Sequence, residues 1–264
     1  MTSLDRQQAK DFADALYEAR RTRTPIDPLT EHMPDLGMED GYAVQQLLVE
    51  RLVADGEVIS GYKLGLTSVP MQRLLGVNQP DFSPVFASTV HGDGADIRVD
   101  AFIAPRVEAE IAVTLNSELS GPHCTAADVY QATRGLTAAI EIVDSRIRDW
   151  KITIADTVAD LASNGAIALG SRVVPLDSLD PRLIGMVFTK NGDVVATGAG
   201  AAALGDPLAA VAWLANTLAP LGAHLPAGSV IMTGALHAMV PIQAGDTFRA
   251  EFDHLGPITL KVVG

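Results

Sequence analysis

Cysteine, basic residues and nucleotide-binding motifs are all scarce or absent in this sequence. Its one cysteine, Cys124, excludes an internal disulfide framework and a cysteine-rich zinc site. Lysine and arginine number 19 against 32 aspartate and glutamate residues, and this acidic balance argues against a nucleic-acid partner. No glycine-rich phosphate loop or G-x-S-x-G elbow stands in a fitting context, which weighs against nucleotide cofactors and serine hydrolases.

Long apolar runs are also missing. No stretch approaches the roughly 18 uncharged apolar residues of a membrane-spanning helix, and residues 1–7 hold no apolar run typical of a secretory signal. The chain is nevertheless 48% hydrophobic and only 19% charged, so disorder is excluded as its main state. We therefore expect a cytoplasmic globular protein with a sizeable core and no membrane partner.

The pattern of residues changes after the first quarter of the sequence. Amphipathic helices are predicted over 4–20 and 40–54, joined by a proline-containing connector over 22–37. Beyond them, short β-rich runs alternate with glycine, proline and aspartate. This change predicts a helical N-terminal region over 1–57 and a mixed-β domain over 58–264.

The second region is predicted to be mainly β-structure. Strands are expected near 59–64, 97–103, 108–115, 136–143, 184–189, 229–233, 247–252 and 257–263. Helices are expected over 125–134 and 206–219, where Thr125 and Asp206 are suitable N-caps. Because strands outnumber helices and do not alternate regularly with them, the pattern predicts an α+β fold with a mixed, rolled β core.

Two glutamates stand two residues apart in one predicted strand. Side chains alternate between the faces of a strand, so Glu108 and Glu110 should point one way, while Ile111 and Val113 point the other. Two like charges on one face repel each other, and near a core they also lose hydration. A cation should therefore offset them, unless both face solvent on an edge strand.

A third carboxylate strengthens the case for a bound cation. Glu141 interrupts the apolar run 136–143, where an ionised carboxylate is costly unless it is paired or bound to metal. One alternative is a salt bridge, with Arg146 or Arg106 as the partner. Three carboxylates in two strands favour a site for Mg²⁺ or Mn²⁺, which prefer oxygen ligands. No histidine or cysteine stands at zinc-ligand spacing nearby.

Other polar residues stand in glycine-rich or turn-forming surroundings. Lys63 lies between two glycines in a predicted strand and can supply a fixed positive charge to an anionic substrate, or it can simply reach the surface. The segment 79–84 has turn chemistry, and its Asp81 is also a candidate acid or base. The segment 156–165 can position a ligand or water, or it is a helix ending at Gly165.

With these residues in view, the sequence resembles the 2-keto-4-pentenoate (2-hydroxypenta-2,4-dienoate) hydratases of aromatic meta-cleavage pathways. These enzymes belong to the fumarylacetoacetate hydrolase superfamily. The resemblance covers nearly the whole chain. Its most specific segments are 61–68, 105–112 and 141–146, together with Asn191-Gly192, 197–200 and 211–216.

The resemblance implies a site as well as a fold. The positions that match the family's Mg²⁺ or Mn²⁺ ligands are Glu108, Glu110 and Glu141. The positions that match its catalytic residues are Lys63, Asp81 and Ser163. The family commonly has asparagine after the aspartate that precedes Ala-Ser, whereas this chain has Leu161 after Asp160, so substrate preference is in doubt. The fold implied is a mixed β core with a small helical N-terminal region.

The implied activity is addition of water to 2-hydroxypenta-2,4-dienoate, giving 4-hydroxy-2-oxopentanoate. In that scheme Asp81 is a candidate for proton transfer, and Ser163 for positioning water or substrate. The resemblance further implies a homo-oligomer, often of ten copies, and allows a complex with other pathway enzymes. A sister activity, 4-oxalocrotonate decarboxylase, fits the same carboxylates. A fumarylpyruvate hydrolase would need a His–Glu pair that we cannot locate, and a non-catalytic oligomeric scaffold would bind no ion.

Overall fold

The computed structural model describes residues 4–74, 76–177 and 179–264. These residues contain two mixed β-sheets and seven α-helices. The helices are α1 (Arg6–Thr22), α2 (Leu29–His32), α3 (Met38–Ala54), α4 (Val69–Leu74), α5 (Ala126–Ala132), α6 (Ile154–Ala159) and α7 (Pro207–Leu218). The strands are β1 (Ile59–Gly65), β2 (Asp81–Phe86), β3 (Val90–Gly92), β4 (Asp96–Arg98), β5 (Arg106–Leu115), β6 (Thr133–Val143), β7 (Asn164–Leu169), β8 (Gly185–Lys190), β9 (Asp193–Ala199), β10 (Val230–Ala235), β11 (Val240–Pro241), β12 (Thr247–Phe252) and β13 (Gly256–Val263). No helix of these described ranges has both the length and the apolar character needed to cross a bilayer.

The larger sheet has the strand order β2-β1-β10-β5-β6-β7-β3, with β11 also paired to β5. The smaller sheet has the order β4-β13-β12-β8-β9. Strands β1 and β10, β3 and β7, and β4 and β13 are parallel pairs, and the other pairs are antiparallel. Apolar side chains of both sheets and of α7 share one core, represented by Ile111, Ile140, Phe188, Phe248 and Leu214. The predicted α+β fold with a mixed, rolled β core is confirmed.

The N-terminal helices form a second apolar cluster. Asp5 caps α1 by accepting a hydrogen bond from the backbone of Gln8, and Leu16 of α1 packs in one cluster with Leu48 of α3. The same cluster includes Phe86 and Leu161, which lie far along the chain. The helical region and the β region therefore share buried surface, and a domain boundary at residue 57 stays a prediction.

Most predicted elements agree with the structure to within three residues at each end. The strand predicted over 97–103 is an exception, because β4 ends at Arg98. Beyond it the chain leaves the sheet, and the backbone N–H groups of Ile103 and Ala104 donate to the carboxylate of Asp144. These side-chain hydrogen bonds satisfy backbone donors that a longer strand would have paired within a sheet.

Strand β2 was not expected from the sequence, since the prolines around it are typical of turns. The predicted turn over 79–84 is wrong from Asp81 onward. Strand β2 lies at the edge of the larger sheet, where Pro84 can take part because an edge strand needs hydrogen-bond donors on one side only. Strands β3, β7, β9 and β11 were not predicted either.

Gly61 of β1 stands opposite Val230 of β10, and its replacement tests the larger sheet. A Cβ at this position would stand 1.8 Å from the carbonyl oxygen of Val230. We expect Gly61→Ala to lower the free energy of unfolding by about 3 kcal/mol, because the backbone of a central strand must shift. Urea unfolding measures the change. Gly92→Ala in β3 is the matched control, since no other described atom lies within 4 Å of its added Cβ. Equal stability of the two variants would contradict this packing.

Candidate metal centre and active site

The register between two central strands brings the three predicted carboxylates together. Strand β5 runs antiparallel to β6, with Glu108 directly opposite Glu141 and Glu110 opposite Ala139. Each of the three glutamates offers an oxygen atom, and these oxygens all lie within 4.8 Å of one another. Glu110 and Glu141 are fully buried and Glu108 is half-buried. The alternative of two glutamates facing solvent on an edge strand is therefore wrong.

This cluster is electrostatically incomplete without a cation. Burial, followed by repulsion from Glu141, raises the pKa of Glu108 to about 8. The same two causes raise the pKa of Glu110 well above its ordinary value. Oε1 of Glu110 and Oε2 of Glu141 accept no hydrogen bond from the described part of the chain. Buried acceptors without donors, all of them hard oxygen atoms, fit a divalent cation such as Mg²⁺ or Mn²⁺.

Lys63 supplies a buried positive charge beside the glutamates. Its Nζ lies 3.4 Å from Oε1 of Glu141 and donates a hydrogen bond of 2.8 Å to the carbonyl oxygen of Ala162. Burial alone would lower the pKa of Lys63, but the carboxylates around it, above all Glu141, raise it overall. The side chain is 3% exposed, so the alternative of a lysine reaching the surface is wrong.

The arginines that the sequence offered as partners for Glu141 have other roles. Arg146 pairs with Asp160, and both side chains are buried. The guanidinium of Arg106 lies 4.5 Å from the ring centroid of Trp150, in a cation–π contact. Among the described residues, the salt-bridge partner of Glu141 is Lys63.

Asp81 and Ser83 reach the same place from the neighbouring strand. In the pairing of β1 with β2, Asp81 stands opposite Gly65 and Ser83 opposite Lys63. Burial raises the pKa of Asp81, and Lys63 offsets this only in part. Oδ1 of Asp81 and the hydroxyl of Ser83 have no hydrogen-bond partner in the described ranges. A Cβ at Gly65 would stand 2.1 Å from Oδ1 of Asp81, so this glycine makes room for the carboxyl group.

The sequence predicts no role for Ser83, because the prolines of the segment 79–84 favour a turn. Asp81 and Ser83 are two residues apart, and in a strand that spacing places both side chains on one face. The period-two signal was therefore present, but the prolines at positions 80 and 84 outweighed it.

A tight turn after α6 completes the site. The helix ends at Ala159 and Gly165 lies in β7, so the alternative of one helix ending at Gly165 is wrong. Three consecutive residues have left-handed backbone, with φ angles of 52°, 48° and 56° at Leu161, Ala162 and Ser163. Such conformations cost roughly 1 to 3 kcal/mol each in residues other than glycine, and they persist where the surroundings hold them.

The turn directs backbone and side-chain groups at the acidic cluster. The carbonyl of Ala162 accepts from Lys63, and Nδ2 of Asn164 donates to Oε1 of Glu141 at 3.1 Å. The hydroxyl of Ser163 lies 3.1 Å from that of Thr157, and within the described ranges it bonds none of the carboxylates. Leu161 packs with the N-terminal helices instead of facing this cluster. From the sequence, Asn164 is predicted only to belong to a polar segment that can position a ligand or water.

A known protein family matches the part of the chain that contains the three glutamates of this site. The fumarylacetoacetate (FAA) hydrolase C-terminal family matches residues 64–263. The chain belongs to the FAA hydrolase C-terminal family. This membership confirms the resemblance found in the sequence.

Two hydratases are among the proteins whose sequences are similar to this chain. A 2-keto-4-pentenoate hydratase of Paraburkholderia xenovorans is 42% identical over 96% of this chain and 94% of the relative. A 2-hydroxyhexa-2,4-dienoate hydratase of Comamonas testosteroni is 41% identical over 97% of this chain and 98% of the relative.

A solved structure resembles the whole chain. It is 4-oxalocrotonate decarboxylase from Pseudomonas putida G7, complexed with magnesium and adipate. It is 36% identical, has a TM-score of 0.96, and the match covers 100% of both chains. The FAA hydrolase fold of the present chain, with its small helical N-terminal region, is thus shared with an enzyme that binds magnesium.

Proposed function

We propose that this protein is a divalent-metal-dependent hydratase that adds water to 2-hydroxypenta-2,4-dienoate and releases 4-hydroxy-2-oxopentanoate. One observation carries the proposal. Three glutamates, two of them buried and one half-buried, bring oxygens within 4.8 Å of one another beside Lys63, and the two buried ones have oxygens without hydrogen-bond donors in the described ranges. The names of the two relatives support hydration as the reaction.

The metal ligands in this proposal are Glu108, Glu110 and Glu141, and the ion is Mg²⁺ or Mn²⁺. When bound, such an ion stabilises negative charge on the oxygens of a 2-oxo acid. Carboxylate ligands from two neighbouring strands of a rigid sheet keep the geometry of the site fixed.

The remaining groups hold charge and protons. Lys63 keeps its positive charge in the buried site and attracts the carboxylate or enolate oxygen of the substrate. Asp81, whose pKa is raised by burial, is suited to hold a proton and deliver it to carbon. Protonation of the dienol at C5, with loss of the proton of its C2 hydroxyl, leaves an α,β-unsaturated ketone. Hydroxyl addition at C4 and protonation at C3 then complete the addition of one water. We assign Ser163, beside Thr157, to positioning water or substrate.

Metal removal is the direct test. After thorough chelation we expect hydration of 2-hydroxypenta-2,4-dienoate to fall about 100-fold or more, and Mg²⁺ or Mn²⁺ to restore it, because the glutamates alone cannot stabilise developing negative charge. Loss of dienoate absorbance and appearance of 4-hydroxy-2-oxopentanoate by NMR measure the reaction. Glu108→Ala should remain inactive after metal is returned. Full activity of the chelated Glu108→Ala protein would reject the metal scheme.

Decarboxylation of 4-oxalocrotonate is the second candidate, and the match to the Pseudomonas putida G7 decarboxylase favours it. In that reaction loss of CO₂ replaces the addition of water. Incubation with each substrate in turn separates the two. Release of CO₂ from oxalocrotonate with no hydration of the dienoate would replace the proposed activity. A panel of dienoates with different C5 substituents then defines the preferred chain length.

The proposed assembly rests on the family resemblance, and the proposed location rests on the sequence. We propose a homo-oligomer, with ten copies as the first arrangement to test, in the cytoplasm and without a nucleic-acid partner. Light scattering coupled to size exclusion measures the number of copies. A complex with enzymes of the same pathway remains a prediction of the resemblance.

A further inference from the structure

We propose that Arg146 is a positioning residue, which holds the strained turn 160–164 in the shape that places Lys63 in the active site. The inference deepens the proposed function and rests on it for its catalytic part. It assigns a task to a buried arginine that contacts neither the glutamates nor Lys63 in the described structure.

Arg146 contacts both ends of the turn. Its Nε donates to Oδ1 of Asp160, and its backbone N–H donates to Oδ2 of the same carboxylate at 2.8 Å. Its Nη2 donates to the carbonyl oxygen of Asp160 at 2.6 Å. Its Nη1 donates to the carbonyl oxygen of Asn164 at 2.9 Å. One planar guanidinium thus joins the first and last residues of the turn.

The turn needs such an external hold. Its three middle residues, 161–163, all have left-handed backbone without being glycine, a conformation that persists only where the surroundings over-determine it. The backbone N–H of Ser163 donates to the carbonyl of Asp160, which adds one bond inside the turn. The backbone N–H of Asp144 donates to the carbonyl of Ser163 from outside the turn, and Arg146 supplies the bonds that join the two ends of the turn. Arg146 is 2% exposed, so water does not compete for its donors.

This turn also fixes the position of Lys63. The carbonyl of Ala162, at its centre, accepts the 2.8 Å hydrogen bond from Nζ of Lys63. Without this acceptor, the ammonium group is free to move toward the carboxylates that surround it. The chain of contacts therefore runs from Arg146 through the turn to Lys63.

The proposed metal ligands are held differently. Glu108 and Glu110 belong to β5 and Glu141 to β6, and the sheet register alone sets them side by side. Asn164, at the end of the turn, donates one hydrogen bond to Glu141. This single bond contributes little to the position of Glu141 compared with the pairing of β5 with β6. Loss of the Arg146 bonds should therefore impair turnover much more than metal binding.

Lysine is the informative replacement. Arg146→Lys keeps the positive charge next to Asp160, but its single ammonium cannot reproduce a planar fork that meets three differently placed acceptors. A second variant, Arg146→Gln with Asp160→Asn, removes both charges of the buried pair, so that neither partner is left charged without the other if Arg146→Lys misfolds. Arg148→Lys is the matched control, since Arg148 is exposed and pairs with Asp27.

The experiment measures kcat and KM for the dienoate, the Mn²⁺ dissociation constant by calorimetry, and hydrogen exchange of a peptide spanning the turn. In Arg146→Lys and in the double variant we expect kcat to fall about 10- to 100-fold. The Mn²⁺ dissociation constant should stay within about 3-fold of the original, as the glutamates keep their sheet positions. Exchange should accelerate in the turn and stay unchanged in β5. Arg148→Lys should match the original protein throughout.

Several results would overturn the inference. Unchanged kcat with slow exchange in both variants would show that the turn keeps its shape without Arg146. A parallel loss of Mn²⁺ affinity and turnover would show a general structural role. If the unaltered protein converts neither the dienoate nor oxalocrotonate, the proposed function fails. Hydrogen exchange then still decides whether Arg146 holds the turn.

Discussion

Glu110→Gln should stabilise the metal-free protein and, in the same variant, abolish metal-dependent turnover. The glutamate is fully buried, and burial and the charges of Glu141 and Glu108 raise its pKa well above the ordinary value. Glutamine removes the like charge, keeps an acceptor for the backbone N–H of Gly234, and offers an amide donor to the neighbouring carboxylates. We expect the free energy of unfolding after chelation to rise by about 2 kcal/mol.

The same replacement removes one of three proposed metal ligands. Mn²⁺ affinity should fall about 100-fold or more, and turnover with it, because a neutral amide is a poor substitute for a carboxylate ligand. Thermal unfolding with and without Mn²⁺, together with calorimetry, measures both effects. Glu118→Gln, at an exposed position, is the control. A variant less stable than the original protein after chelation would show that the three carboxylates do not repel one another as the structure indicates.

Lys63→Met should have the opposite effect on stability and a comparable effect on activity. Lysine is the buried counter-charge of Glu141 and lies near Asp81, Glu110 and Glu108. Its removal leaves buried carboxylates without a cation, which costs about 3 to 5 kcal/mol in the metal-free protein. Added Mn²⁺ should recover part of this loss, since the ion supplies positive charge to the same groups.

Turnover of Lys63→Met should fall by about 10² to 10³-fold even when the metal site is saturated, as expected when one group that stabilises developing negative charge is removed. Urea unfolding at several Mn²⁺ concentrations and steady-state kinetics provide the two measurements. Lys261→Met, at an exposed position of β13, controls for the substitution itself. Equal stability of Lys63→Met and the original protein after chelation would mean that Lys63 does not balance these carboxylates.

These two predictions depend on features that differ in how visible they were in the sequence. The glutamates stood out because strand alternation puts Glu108 and Glu110 on one face, and because Glu141 breaks an apolar run. Lys63 stood out by its apolar, glycine-flanked strand. In contrast, the sequence allowed either a metal ion or an arginine as the partner of Glu141, because a sequence does not give the distances between side chains of different strands.

Groups that act through backbone geometry escaped sequence reasoning. The carbonyl of Ala162 has no side-chain signal at all, and Asn164 lies in the segment 156–165, for which one alternative is a helix that runs to Gly165. Ser83 was hidden by prolines that are tolerated because β2 is an edge strand, a property of sheet order and not of the local segment.

The amino-acid sequence by itself determined the fold class, the acidic character of the site and the family to which the chain belongs. Alternation, capping and apolar burial are local or additive properties, so they can be read residue by residue. Only the tertiary structure decided which charges meet. The pairing of β5 with β6, the position of β2 at a sheet edge and the left-handed turn at 161–163 arise from contacts between distant segments. Those contacts assign Lys63 to Glu141 and Arg146 to Asp160, because electrostatic energy depends on separation in space and on burial.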